Sequence, residues 1–121
     1  MATHNELGKW GEEQAVAFLQ QKGYTIVERD WHSGHRDIDI IAFDEENRTV
    51  VFVEVKTRKN RLFGEPEEAI DYRKRQNLAQ AINHYVKYKQ LRQPIRFDVI
   101  SIIGTTGAEF EIDHIEDFPL F

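Results

Sequence analysis

Cysteine is absent from this chain, which excludes both a disulfide framework and a thiolate zinc site and fits a reducing compartment. No stretch approaches the ~18 consecutive apolar residues of a membrane helix. The opening residues, MATHNELGKWGEEQ, carry no apolar signal core, so no membrane association and a cytoplasmic location are expected. Internal repeats, low-complexity tracts and linkers are also missing. The histidines show no paired metal spacing: His32 and His35 fall in one polar stretch, and His84 falls on the expected outer side of a helix. What is there is 121 residues, 40% hydrophobic and 31% charged, the balance of one soluble globular domain over residues 1–121.

Acidic residues outnumber basic ones, giving a net charge of -5, which argues at first against a nucleic-acid partner. The distribution argues the other way. Residues 56–96 hold 11 basic and 4 acidic side chains, while the rest of the chain holds 5 basic and 17 acidic ones. A basic segment beside an acidic remainder is a footprint of phosphate binding, although charge runs are more often plain solvated faces.

Periodicity organises the chain. Leu7, Trp10, Gly11, Ala15, Phe18 and Leu19 share one side of a helix over residues 5–22, which Gly23 is placed to end. Trp10 and Phe18 read as core residues. A short strand over 24–28 and a polar loop, DWHSGHR, follow. Residues 37–43 read as a strand with Ile38, Ile40 and Ala42 on one face, and residues 49–56 as the next, across the turn DEEN. Residues 57–65 form a loop rich in Arg, Lys and Gly. Pro66 suits the first turn of a long helix whose apolar stripe is Ile70, Leu78, Ala81, Ile82 and Tyr85. Strands over 96–103 and 109–115 close the order, joined by GTTG. Helix, three strands, helix, two strands describe an α/β domain with a mixed central sheet flanked by helices.

Charges intrude where strands should be apolar. A hairpin centred between Glu46 and Asn47 pairs Ile41 with Phe52 and Phe43 with Val50, and places Asp39 opposite Glu54, about 5 Å away at Cβ. Lys56 then projects beside Glu54 on the same face. Facing carboxylates repel, and a cation would offset that cost; hard carboxylate oxygens are what Mg²⁺ prefers, with positions left for water and a phosphate. A surface hairpin in which Lys56 neutralises Glu54 is the plainer alternative. Glu12 lies at the margin of the first helix's apolar side, where a solvated glutamate is the ordinary reading. Lys74 falls in the middle of the second helix's stripe, so it either snorkels to the surface or enters a polar pocket.

Asp39 with Glu54-Val55-Lys56 resembles the PD-(D/E)xK nuclease signature of the restriction-endonuclease-like fold. The runs GEEQAVAFLQQKGYTIVERD, DIDIIAFD, VVFVEVKTR, GEPEEAI with Lys74, and RFDVI resemble, in order, the YraN-like family, which is similar to archaeal Holliday junction resolvases. The resemblance implies a metal-dependent phosphodiesterase with Asp39 and Glu54 as metal ligands and Lys56 orienting water or stabilising developing charge. It implies further catalytic positions at Glu12 and Lys74, with Mg²⁺ as cofactor and Mn²⁺ as a substitute. DNA is the implied substrate, branched or otherwise structured, and a homodimer the implied assembly. Arg58, Lys59, Arg61, Arg73 and Arg75 are the expected DNA contacts. Ile38 stands where the signature's proline would be, and Arg36-Asp37-Ile38-Asp39 replaces the usual G-E-I-D. Two other readings compete: a DNA-binding module with this fold and no useful catalysis, and a scaffold whose acidic half binds a basic partner.

Overall fold

The structure, a computed structural model, describes residues 4–120. Helix α1 (His4–Gln21) is followed by strands β1 (Tyr24–Ser33), β2 (Arg36–Asp44) and β3 (Thr49–Arg58). A 3-10 turn (Pro66–Ala69), helix α2 (Tyr72–Lys89) and strands β4 (Ile95–Ile103) and β5 (Glu111–Ile115) complete the order. The strands form one mixed sheet in sequence order; β3 and β4 run parallel and every other pair antiparallel. The parallel pair requires a crossover, which the 3-10 turn and α2 supply. The mixed α/β sheet expected from the sequence is the observed one.

Both faces of the sheet are buried, which is why the central strands read as nearly continuous apolar runs. On one face Ala15, Val16 and Leu19 of α1 pack on Ile40, Ala42, Val51, Val53, Ile100 and Ile102. On the other, Leu78, Ala81, Ile82 and Tyr85 of α2 pack on Ile41, Val50, Phe52, Phe97 and Val99. Gly11 sets how closely α1 approaches: a Cβ there would lie 2.0 Å from Thr57 Oγ1. Glycine inside a helix costs about 1 kcal/mol relative to alanine, and here the absent side chain is what lets α1 rest on the end of β3. Trp10 and Phe18 pack against the α1-side cluster as half-buried residues.

Several boundaries differ from the sequence reading. Strand β1 continues through most of the polar stretch expected to be a loop, and pairs Trp31 with Ile38 and Ser33 with Arg36. Its polar residues lie on a half-exposed edge strand, and a bulge between Ile26 and Glu28 shifts the alternation, so no period-2 signal survives. The long helix expected from Pro66 is broken. Ile70 leaves helical geometry, and Asp71 restarts the chain as an N-cap, its carboxylate accepting the Lys74 N–H at 2.9 Å. Strand β5 begins at Glu111 rather than 109.

The β2–β3 register is the one the hairpin arithmetic gives, with Ile41 opposite Phe52 and Phe43 opposite Val50. The ladder nevertheless ends at Ile40–Val53, one pair before Asp39 and Glu54. Ile38 joins the α2-side cluster, not the α1-side cluster that holds Ile40 and Ala42, so the alternation of β2 switches at Asp39. Strand β2 peels away from β3 there while remaining paired with β1.

Candidate active site

The place where β2 leaves β3 opens a cleft of about 300 Å³ lined by Glu12, Asp39, Glu54, Lys56, Arg58 and Lys74, among others. Each side chain is delivered by a separate local feature. Asp39 does not face Glu54 as a simple cross-strand pair: its Oδ2 accepts the backbone N–H of Val55 at 2.8 Å, filling the donor that the ended ladder would leave open. Glu54 is only 2% exposed. Two ammonium groups reach it, Lys74 Nζ at 3.2 Å and Lys56 Nζ at 3.6 Å from Oε2. Lys74 therefore enters a polar pocket, and it can do so because the Asp71 cap starts α2 at this point. Glu12 comes from α1, which the Gly11–Thr57 contact seats on the end of β3.

The electrostatics are those of a crowded anionic site. Burial, then repulsion from Glu54, pushes the Asp39 carboxyl up to about 9, against the opposing Val55 hydrogen bond. Burial, then hydrogen bonding to and repulsion from Asp30, pushes Glu12 up to about 7, with Arg29 opposing. For Lys74, burial works against the charged form, but Glu54, Asp37 and Asp39 outweigh it and hold its pKa above the ordinary value. Glu12 Oε1 is buried without a hydrogen-bond partner. Buried carboxylates carry charge only when something compensates it.

Carboxylate oxygens of Glu12, Asp30 and Asp39 lie within 4.8 Å of one another. They form an all-oxygen donor set of the type hard divalent cations take, and the orphaned Glu12 oxygen fits such a ligand; Glu54, the expected second ligand, is not in this trio and is engaged by Lys74 and Lys56. Asp30 is the member that sequence reasoning missed. It lies between Arg29 and Trp31, whose partners Ile40 and Ile38 flank Asp39, and it adopts a left-handed φ of 50°. The only available signal was the aspartate following Glu28-Arg29, inside a stretch read as loop.

The expected DNA-contacting residues divide. Arg58 lines the cleft, and Lys59 is exposed on the loop that follows. Arg73 is exposed near the start of α2. Arg61 is paired with Glu65 at 2.8 Å and Glu111 at 2.5 Å, and lines a separate small recess. Arg75 turns back on its own fold: its Nε donates to the Ile70 carbonyl and its guanidinium lies 5.1 Å from the Phe118 ring. Arg96 is held by Asp44, Asp98 and Tyr24. The basic segment of the sequence is thus partly spent inside the protein. His84 is exposed and hydrogen-bonded to Ser33, and His32 and His35 face solvent. No helix among the described residues is long and apolar enough to cross a membrane.

Comparison with known proteins gives the same family. The model described as "Uncharacterised protein family UPF0102" matches residues 11–102. The chain is 49% identical to a UPF0102 protein of Bacteroides thetaiotaomicron over 124 aligned positions, covering all of both chains. It is 43% identical to one of Phocaeicola vulgatus, covering 97% of this chain and 94% of the relative. A third, from Porphyromonas gingivalis, is 44% identical over 99% of this chain and 89% of its own length. The matched segment runs from Gly11 through the cleft strands to Ile102, so the family model spans every residue of the site but the rim of α1 before Gly11. This chain belongs to the UPF0102, or YraN, family, which is part of the PD-(D/E)xK nuclease superfamily.

Proposed function

We propose that this protein is a metal-dependent DNA endonuclease that hydrolyses phosphodiester bonds in branched or otherwise structured DNA, two copies of the chain acting on the two strands. The observation that carries the reading is the convergence of Asp39, Glu54, Lys56 and Lys74 in one cleft, with the Asp39 carboxyl pushed up by burial and by its nearness to Glu54.

Asp39 and Glu54 would hold a Mg²⁺ ion, or Mn²⁺ in its place, with Glu12 and Asp30 in reach. Bound there, the ion supplies a lowered water pKa and charge neutralisation at the phosphate. The chain's own groups do the rest. The Val55 N–H holds one oxygen of the Asp39 carboxylate in place at the cleft. Lys74 lies on the rigid start of α2 and offsets the charge of Glu54 whether or not substrate is present. Lys56, 28% exposed along its side chain, has both Glu54 and the open cleft within reach. It is therefore the residue placed to hold the attacking water and to meet negative charge as it develops on the phosphate. Arg58, at the rim, is placed to bind a neighbouring phosphate.

The test is cleavage of labelled four-way junction, flap, single strand and duplex DNA in Mg²⁺, Mn²⁺ or EDTA. Metal-dependent cuts, faster on branched DNA than on duplex, support the reading. DNA binding with no cut in either metal hands the fold to a binding role, and no binding at low salt removes DNA altogether.

A further inference from the structure

Two large apolar side chains project into solvent beside the cleft: Phe63 is 93% exposed and Leu62 79%. Neither belongs to either core cluster, so folding does not account for them. They occupy the two corner positions of a turn closed by the Gly64 N–H to the Arg61 carbonyl at 3.1 Å. Turn corners normally carry small or polar residues, for which exposure is cheap. Gly64 adopts φ +98°, which favours glycine and completes the reversal.

The turn is fixed from below. The Leu62 N–H donates to Asn60 Oδ1 at 3.0 Å, and Arg61 is held by Glu65 and by Glu111 on β5. Leu62 and Phe63 are therefore presented outward by an anchored base. That is the arrangement expected of a preorganised contact, which avoids much of the ordering cost of binding. Behind them lies a recess of about 270 Å³ that shares Leu7, Thr57 and Arg58 with the cleft, so the two adjoin.

We infer that Phe63, supported by Leu62, stacks on an unpaired nucleobase of the strand whose phosphate enters the cleft, and that this contact selects branched or distorted DNA over perfect duplex. The inference rests on the DNA reading above and adds to it the element that recognises structure. Charge decides the occupant. From Val55 to Gly64 the chain has no acidic residue; Lys56 and Arg61 are engaged by Glu54, Glu65 and Glu111, and Arg58 and Lys59 are the basic residues that line the recess beside Phe63. A second copy meeting this loop through the same surface would set like charges against each other. A polyanion with flat apolar faces matches both the basic residues and the aromatic one, and bases stack on aromatic side chains without regard to sequence.

The experiment compares wild type, Phe63→Ala and Phe63→Trp by fluorescence anisotropy at low salt in EDTA, where no strand is cut. The probes are a perfect duplex and the same duplex with an unpaired bulge, with anionic phospholipid vesicles as a competing surface. Phe63→Ala should weaken the bulged duplex by about tenfold and leave the perfect duplex unchanged, consistent with one lost base stack. Phe63→Trp should restore binding and show emission quenched by the bulged DNA beyond any change in wild type. Equal affinity of wild type and Phe63→Ala for the bulge overturns the inference, as does an equal loss on both DNAs. It is likewise overturned if vesicles are bound in a Phe63-dependent way while DNA is not, or if wild type is a dimer in sedimentation that Phe63→Ala dissociates without changing DNA affinity. Wild type that binds neither DNA overturns the DNA reading itself, whereas binding without any cleavage in Mg²⁺ leaves this inference standing.

Discussion

The Asp39 carboxylate accepts the backbone N–H of Val55, the residue between Glu54 and Lys56, at 2.8 Å. This contact takes the place of a ladder hydrogen bond where β2 leaves β3, and it ties the carboxylate of one strand to the two charged residues of the next. The same separation that makes the cleft leaves Asp39 and Glu54 close to each other and mostly out of water.

That arrangement strains the metal-free protein. Asp39→Asn keeps an acceptor for Val55 and removes the repulsion, so it should unfold at equal or higher denaturant concentration than wild type in EDTA. Adding Mg²⁺ should raise the wild-type melting temperature, because a ligand that binds only the folded state stabilises it. It should leave Asp39→Asn nearly unchanged. Thermal melts of both proteins with and without Mg²⁺ check this, and equal Mg²⁺ stabilisation of the two would remove Asp39 from the ligand set.

Lys74 is expected to matter for folding as well as for the site. Replacing it by methionine leaves Glu54 with Lys56 alone, and a buried carboxylate that loses a partner costs about 1–3 kcal/mol. Glu54→Gln should relieve much of that loss. A double-mutant cycle in urea therefore predicts a coupling of about 1 kcal/mol or more between the two positions. Additive effects would mean that the 3.2 Å contact contributes nothing to stability.

Gly11 gives a packing test. Gly11→Ala improves helix propensity but sets a methyl against Thr57, so the variant should lose about 1–3 kcal/mol, the usual cost of overpacking. The loss should shrink when Thr57 is truncated to alanine, which removes the Oγ1 that the added methyl meets. A stabilised Gly11→Ala protein would show that α1 does not rest on β3 as described.

Acid stability should depend on a second polar cluster, away from the cleft. Asp98 is fully buried, and burial raises its carboxyl. Hydrogen bonds from Arg96, His114 and the Asp117 N–H outweigh that and hold it below its ordinary value of 3.8. A carboxylate depressed in the folded state contributes stability that is present above its unfolded pKa and is lost as pH falls through the folded one. Wild type should therefore lose stability below about pH 4. Asp98→Asn should be weaker at pH 7 by about 3 kcal/mol, because it strips the buried Arg96 of a counter-charge. Its acid limb should also be flatter. Urea midpoints from pH 3 to 7 measure both.

The parts of the structure that the sequence made legible are those fixed by strict periods. The stripes of α1 and α2 and the β2–β3 register followed from apolar spacing, because those elements bury one face each or lie at the sheet's centre. What escaped was governed by single contacts that periodicity does not carry. The extension of β1 hides behind a bulge and polar residues on an edge strand. The break before α2 depends on the Asp71 cap, since Ile70 by itself fits a continuous stripe. The register brought Asp39 near Glu54 but not opposite it: the ladder ends one pair early and Asp39 engages Val55 instead, and no residue pattern announces that. Glu12 looked like a solvated glutamate because only the approach allowed by Gly11 brings it over the cleft. Arg61 and Arg75 looked like phosphate contacts because their partners, Glu111 and Phe118, lie far along the chain.

Metal-assisted cutting of DNA in this cleft, as proposed, is tested by the initial rate of junction cleavage in Mg²⁺ by wild type, Asp39→Asn and Lys56→Met. Both variants should bind the junction as wild type does in EDTA but cut it more slowly by about a thousandfold, the scale on which removing one electrostatic or acid–base group acts. Cleavage by either variant at the wild-type rate would place the chemistry outside this cleft.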